Sequence, residues 1–202
     1  MVPERNGHNM NDREWDRRLH IKTIGREDES NPNYSPYEPT PYSVLARLAE
    51  SGHIRRKDRL LDYGCGKGRV ALFMASVVGC RTTGIDYSQK LIDTAVENRK
   101  SARLGDRVTF SCSRAEQYEL RDENAFFFFN PFSERIFEGV LRRISRSWQE
   151  SPRTLTVICY YPSEAYLQCL ADTPELKLLD DIDCNDLFSS RNVRERIVVY
   201  RH

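Results

Sequence analysis

The 202 residues carry 31 Lys and Arg against 30 Asp and Glu, a formal net charge of +1. A chain of this length makes one domain that buries roughly 70% of its unfolded surface, and its neutral balance excludes a dedicated nucleic-acid coat or arm while leaving room for a local basic patch. No two of the six cysteines lie two to four residues apart, which excludes a zinc knuckle and a CxxC redox pair.

No metal is therefore expected, and the cysteines read as reduced, mostly buried side chains. The start, MVPERNGHNMNDREWDRRLH, has no apolar signal-peptide core, and no stretch is apolar enough to span a bilayer. The expectation is a cytoplasmic protein with no membrane partner. Residues 1 to 36 are rich in Asn, Asp, Glu and Arg, with Trp15 as the main apolar anchor. They are expected to form a flexible N-terminal arm or lid with a short helix around 13 to 20, and the domain proper is expected over 37 to 202. NPNYSPYEPTPY, at 31 to 42, has four prolines and three tyrosines and reads as an extended strap.

From Tyr42 onward helical and extended segments alternate. SVLARLAESG places Val44, Leu45, Leu48 and Ala49 on one helical face and ends on Gly52, a suitable cap. Extended segments follow at 59 to 64, 81 to 86 and 107 to 112, with helices at 67 to 78 and 88 to 103, the second capped by Ser88. FFFF at 126 to 129 reads as a strand buried on both faces and stopped by Asn130 and Pro131, since proline cannot donate to a sheet and holds its predecessor extended. A helix at 133 to 148, an extended run at 154 to 162, a short helix at 163 to 170 and a final antiparallel pair at 176 to 183 and 194 to 200 complete the chain. Strands alternating with helices predict a doubly wound α/β sheet. Arg135, Arg142, Arg143 and Arg146, near the helix after Phe132, read as a solvated face.

The sharpest motif is LLDYGCGKGRV at 60 to 70, where an apolar strand ends in Asp62 and is followed by Gly64, Gly66, Gly68 and a helix. Such a turn lets a ligand approach the backbone and presents the free N–H groups of a helix start. The residue three beyond Gly66 is Arg69, so the GxGxxG dinucleotide fingerprint fails, and Lys67 is followed by Gly68, so the phosphate-cradling P-loop fails as well.

The acidic residue followed by GxGxG resembles the first motif of the class I S-adenosylmethionine-dependent methyltransferases, matched by Asp62, Gly64, Gly66 and Gly68. The resemblance implies a Rossmann-like α/β/α sandwich with a seven-stranded, mostly parallel sheet whose last strand is antiparallel. It implies S-adenosylmethionine as cofactor, with S-adenosylhomocysteine as product, held by Asp62, Tyr63, Gly64, Cys65, Gly66 and Gly68. Asp86, about twenty residues beyond the loop, is placed for the ribose hydroxyls, or caps the next helix, and Tyr87 borders the adenosine. Where the family often has Asp-Ala for the adenine amino group this chain has Arg114, Ala115 and Glu116; arginine has donors only, so adenine recognition falls to the backbone or to Glu116. YEPTPY places Tyr37 and Thr40 near the methionine end.

Asn130-Pro131-Phe132 is one proline short of the [DNS]PP[YFW] corner that enzymes methylating amino nitrogens carry. By that resemblance Asn130 and the following carbonyl accept from a substrate NH2, Asn130 also neighbours the cofactor, and Phe132 stacks on a planar acceptor; a plain Asx-Pro turn capped by Ser133 is the other reading. The function expected is methyl transfer to a nitrogen nucleophile, the acceptor being a protein side chain, a nucleobase or a small molecule. The rivals are an O- or small-molecule methyltransferase and a non-catalytic cofactor-binding module.

Overall fold

The structure, a computed structural model, describes residues 10–27 and 31–202. Expectations for residues 1 to 9 and 28 to 30 lie outside the described residues. The elements run α1 (Asp12–Leu19), α2 (Tyr42–Ser51), β1 (Arg59–Tyr63), α3 (Arg69–Val77), β2 (Arg81–Asp86), α4 (Gln89–Ala102), β3 (Val108–Cys112), β4 (Ala125–Phe128), α5 (Glu134–Glu150), β5 (Thr156–Tyr160), α6 (Glu164–Ala171), β6 (Lys177–Asp183) and β7 (Arg196–Arg201). They build one seven-stranded sheet in the order β3-β2-β1-β4-β5-β7-β6. β7 runs antiparallel to both β5 and β6, and the other pairings are parallel. This is a Rossmann-like, doubly wound α/β fold. The strand order reverses between β1 and β4, so the ends of those strands open a crevice at the carboxyl edge.

Alternation on β4 divides the phenylalanine run between the two faces of the sheet. Phe127 packs with Leu60, Phe73 and Leu45 on one side, and Phe126 and Phe128 pack with Leu61, Phe137 and Ile144 on the other. All three are essentially inaccessible, each worth roughly 1.5–3 kcal/mol of apolar burial. Phe129 differs from expectation. It lies beyond the end of β4, half-buried, with its ring 4.8 Å from that of Tyr160, and it faces the crevice rather than the core.

Helix α5 buries Phe137, Val140, Leu141 and Ile144, the spacing of one face at 3.6 residues per turn. Its outer face carries exposed Arg135 and the Arg142–Glu138 and Arg146–Glu150 pairs, both one helical turn apart. Of the four arginines predicted as a solvated face, Arg143 is the exception, half-buried and donating through Nη2 to the Tyr118 carbonyl at 2.6 Å. Ser88 caps α4 through Leu91 N–H, whereas Ser133 begins α5 without a side-chain cap bond. Four of the six cysteines are buried and all six are free.

Within residues 10 to 27 the short helix expected around 13 to 20 is present as α1, and it packs on the domain. Asn11 and Glu14 form a capping box that starts α1, and Trp15 packs on Tyr42 and Phe73 at ring distances of 5.6 and 5.0 Å. Beneath it Arg69, 2% exposed, donates through Nε to Thr23 Oγ1 at 2.7 Å and through Nη1 to the Thr40 carbonyl and Asp12. Asp16 accepts from Thr23 and from Tyr42 Oη. A buried guanidinium needs paired carboxylates around it, and α1 supplies them. The segment is held by that polar network as much as by its one aromatic anchor.

Candidate functional site

A cavity of about 500 Å³ opens at the carboxyl edge of β1, β2, β4 and β5, roofed by residues 34 to 41. The glycine loop forms its floor. Gly64 and Cys65 N–H both donate to the Ile85 carbonyl at 2.9 Å, fastening the turn after β1 to the end of β2. Gly64, at φ +72°, lies so close to Pro131 that an added Cβ would sit 2.3 Å from the proline Cβ, and at Gly66, φ +52°, a Cβ would sit 2.2 Å from the Tyr37 ring. Both positions therefore require glycine twice over, for the left-handed backbone and for the approach.

Asp62 ends β1 beneath this loop, 2% exposed. Its Oδ2 is buried and has no hydrogen-bond partner. Burial, reinforced by the nearby charge of Asp86 and only partly opposed by the Ala71 backbone N–H, pushes its carboxyl up to about 8. An uncompensated buried carboxylate oxygen is costly, and a cationic ligand group beside it would remove that cost. Asp86 accepts from Gly66 N–H through Oδ2 and from Ser88 N–H through Oδ1, each at 2.9 Å. The carboxylate thus shapes the loop and caps α4.

Tyr37, Thr40, Asp62, Tyr63, Gly64, Cys65, Asp86, Tyr87 and Ala115 all line the cavity, as do Asn130, Pro131 and Phe132. Four of the residues expected at the cofactor do not. Gly66 is covered by Tyr37 and Gly68 packs against Phe110, while Arg114 and Glu116 stay outside the lining. Glu116 accepts instead from Tyr34 Oη at 2.8 Å, and Tyr34 lies between Tyr87 and Phe132, at ring distances of 4.2 and 6.2 Å.

The Asn-Pro-Phe corner is where the geometry departs most from expectation. Asn130 has φ 40°, not an extended backbone, because its side chain bridges to the β5–α6 turn. Its Nδ2 donates to the Tyr161 carbonyl at 2.5 Å and its Oδ1 accepts from Ser163 N–H at 3.1 Å, so Oδ1 is engaged within the chain. Phe132 is 4% exposed and packed edge-on against Tyr63 and Phe128; its face is core, not a stacking platform. What the corner presents to the cavity is backbone. The Asn130 carbonyl accepts from Ser35 Oγ at 2.6 Å and the Pro131 carbonyl from Ser35 N–H at 3.0 Å.

Beyond Asn130 the cavity continues along an aromatic wall that sequence patterns alone did not single out, made by Phe129, Tyr160, Tyr161 and Phe188. Tyr161 is left-handed at φ 51°, rare for an aromatic residue and typical of a strained functional turn. The Arg194 guanidinium lies 4.2 Å over its ring, and Tyr160 Oη donates to Glu195 at 2.8 Å. The Tyr-Tyr-Pro that ends β5 was the available sign, an aromatic pair stopped by proline at the same sheet edge as Asn130.

Residues 60–150 match a methyltransferase-domain family. Over 96 residues, 48% of this chain and 34% of the other, the chain is 34% identical to 27-O-demethylrifamycin SV methyltransferase of Amycolatopsis mediterranei. It is 31% identical over 64 residues to a protein-lysine N-methyltransferase of Saccharolobus islandicus, covering 31% of this chain and 40% of that one. The chain thus spans well under half the length of these two curated relatives. Among solved structures, an RNA methyltransferase from Salinibacter ruber in complex with S-adenosylhomocysteine superposes with a TM-score of 0.54 at 20% identity, over 81% of this chain and 92% of that one. The glycine loop, the orphaned Asp62 oxygen and the stretch of residues 60–150 that matches a methyltransferase-domain family lie on the same strands.

Proposed function

We propose that the chain transfers the methyl group of S-adenosylmethionine to a nitrogen nucleophile that enters beside Asn130. The cofactor supplies an electrophilic methyl on a sulfonium, and attack by a nitrogen lone pair breaks the S–CH3 bond and leaves S-adenosylhomocysteine. The protein's part is positioning. The unpartnered Oδ2 of Asp62 fits the cofactor ammonium, the bare Gly64 backbone its methionine, the Asp86 carboxylate at the cavity wall the ribose hydroxyls, and Tyr87 with Ala115 the base. Tyr37 and Thr40 close the methionine end.

The observation that carries the nitrogen reading is the pair of backbone carbonyls at Asn130 and Pro131. Both face the cavity, and in this structure they hold the N–H and O–H donors of Ser35. An amino group offers two donors in the same arrangement once Ser35 moves aside, leaving its lone pair free to attack. The Asn130 side chain then acts as a positioning group through Tyr161 and Ser163. A hydroxyl acceptor is the second reading, since Ser35 Oγ itself sits on the Asn130 carbonyl and one relative is named for an O-demethylated compound.

The test is incubation of the purified chain and a cell lysate with methyl-labelled S-adenosylmethionine, preceded by calorimetry with S-adenosylhomocysteine. Label recovered as an N-methyl group by mass spectrometry of the product supports the reading, and label recovered as an O-methyl ether or ester points to oxygen. Cofactor binding with no label in protein, nucleic acid or small molecules would make the chain a binding module.

A further inference from the structure

The neutral total conceals a separation of charge between the two edges of the sheet. At the amino edge, opposite the cavity, β1 opens on Arg59, β2 on Arg81 and β6 on Lys177. Arg107 immediately precedes β3, Arg153 lies just before β5, and β7, being antiparallel, brings Arg201 to the same edge beside Thr156 and Lys177. Only β4 lacks such a cation. Neighbouring strands lie about 4.8 Å apart, so the row from β3 to β6 is about 29 Å long.

The α2–β1 turn adds Arg55, Arg56 and Lys57. Arg56 and Arg107 approach each other across Gly79, each within 4 Å of where a side chain there would begin. Arg56, Lys57, Arg81 and Arg107 are exposed, and none makes an ion pair among the described residues. A second cleft, of about 480 Å³, opens on this edge. Its charged lining is five Arg and Lys against Asp58 and Asp122. Asp58 is already engaged by Arg55 N–H and Asn124 Nδ2, and Asp122 by Arg59. The cavity at the other edge has the reverse balance, five carboxylates against three arginines. Beside β5 and β7 the half-buried rings of Trp148 and His202 stack at 3.9 Å, next in sequence to Arg201, whose Nε is buried without an acceptor.

Arg59 is paired with Asp122, and Arg153 donates to the carbonyls of Glu123, Ser147 and Ser151. Arg56, Lys57, Arg81 and Arg107, however, gather without an ion pair among the described residues and repel one another, a cost that an anionic partner relieves. We propose that the amino edge docks the phosphate backbone of single-stranded RNA, at a surface separate from the methyl-transfer cavity. Strand ends along one sheet edge follow a line, as a single strand of phosphates does, whereas a flat membrane would call for a broad face. The Trp148–His202 stack beside that line offers a platform for a base. The surface does not depend on which acceptor the cavity takes.

The test is fluorescence anisotropy with a labelled single-stranded RNA of about 20 nucleotides, between about 50 and 200 mM salt. Wild-type binding is expected to weaken with salt. The triple variant Arg56→Gln, Lys57→Gln, Arg107→Gln should bind at least about tenfold more weakly and lower the log–log salt slope by about 2, from roughly 0.7 per lost phosphate contact. The charge-preserving variant Arg56→Lys, Arg107→Lys should keep the slope, and the melting temperatures of all three proteins should agree. Absence of RNA binding at the lowest salt, or an unchanged slope in the triple variant, overturns the proposal. So does equally tight binding of polyglutamate or phosphatidylserine vesicles through the same residues.

Discussion

Replacing Asp62 by Asn should separate the cost of this site from its use. In the free protein the carboxyl is pushed up to about 8, chiefly by burial and then by the charge of Asp86, so at pH 6 only about 1% of it is ionised and at pH 8 about half. A cofactor ammonium seated on Oδ2 needs the ionised form. Affinity for S-adenosylhomocysteine should therefore rise about 50-fold from pH 6 to pH 8, about 2.3 kcal/mol, with close to one proton released per ligand bound at pH 6. Above pH 8 the ligand's own amino group begins to deprotonate, so the rise stops there. The same shift acts on folding with a definite sign. The native state holds the proton more tightly than the unfolded chain, whose carboxyl has the ordinary value of 3.8, so this contribution to stability is complete below about pH 4 and lost as pH climbs through 8. Wild type should lose about 2.3 kcal/mol between pH 6 and 8 that Asp62→Asn does not lose, or roughly 5 to 9 °C in melting temperature for a chain of this size. Calorimetry in two buffers of different ionisation heat counts the proton, and thermal melts at both pH values measure the stability. An affinity independent of pH in the wild type, or an Asn variant that keeps the wild-type pH dependence, refutes the assignment.

Gly66→Ala should destabilise the protein by about 1–3 kcal/mol, because the left-handed backbone and the Tyr37 ring both oppose a Cβ. Denaturant unfolding should find the loss smaller when Tyr37→Ala is added, and strict additivity would mean the two do not meet. Arg69→Met strands the carboxylates that Arg69 pairs with on α1 and should cost about 3–5 kcal/mol; a melting temperature within about 2 °C of wild type would remove this network from the fold's supports. Asn130→Ala cuts both bonds to the Tyr161–Ser163 turn and should lower kcat by at least about a hundredfold while leaving S-adenosylhomocysteine affinity within about threefold. Parallel loss of cofactor affinity would assign Asn130 to the cofactor instead.

Much of the framework was legible because its causes are local. The strand at 81 to 86, the Ser88 cap and the left-handed Gly52 after α2 follow from periodicity and from the conformational limits of single residues. The loop after Asp62 was legible too, since three glycines in five residues at a strand end restrict what can lie there. The packing of Trp15 was not, because Tyr42, Phe73 and the Arg69 network that hold α1 come from distant elements with no shared period. Nor was the commitment of the Asn130 amide, which Tyr161 and Ser163 take from the end of another strand.

The division follows from range. By itself the sequence determined the alternation of strand and helix, the buried phenylalanine strand and a glycine loop fit for the methionine end of a cofactor. Only the tertiary structure decided that Phe129 reaches the cavity wall, that the Asn130 side chain is bound to the Tyr161–Ser163 turn while its carbonyl accepts from Ser35, and that arginines scattered from 59 to 201 stand in one row. Each of those arginines is an unremarked strand end in the sequence. Parallel pairing aligns the strand ends, and the antiparallel last strand brings Arg201 to the same edge, so isolated charges become a surface.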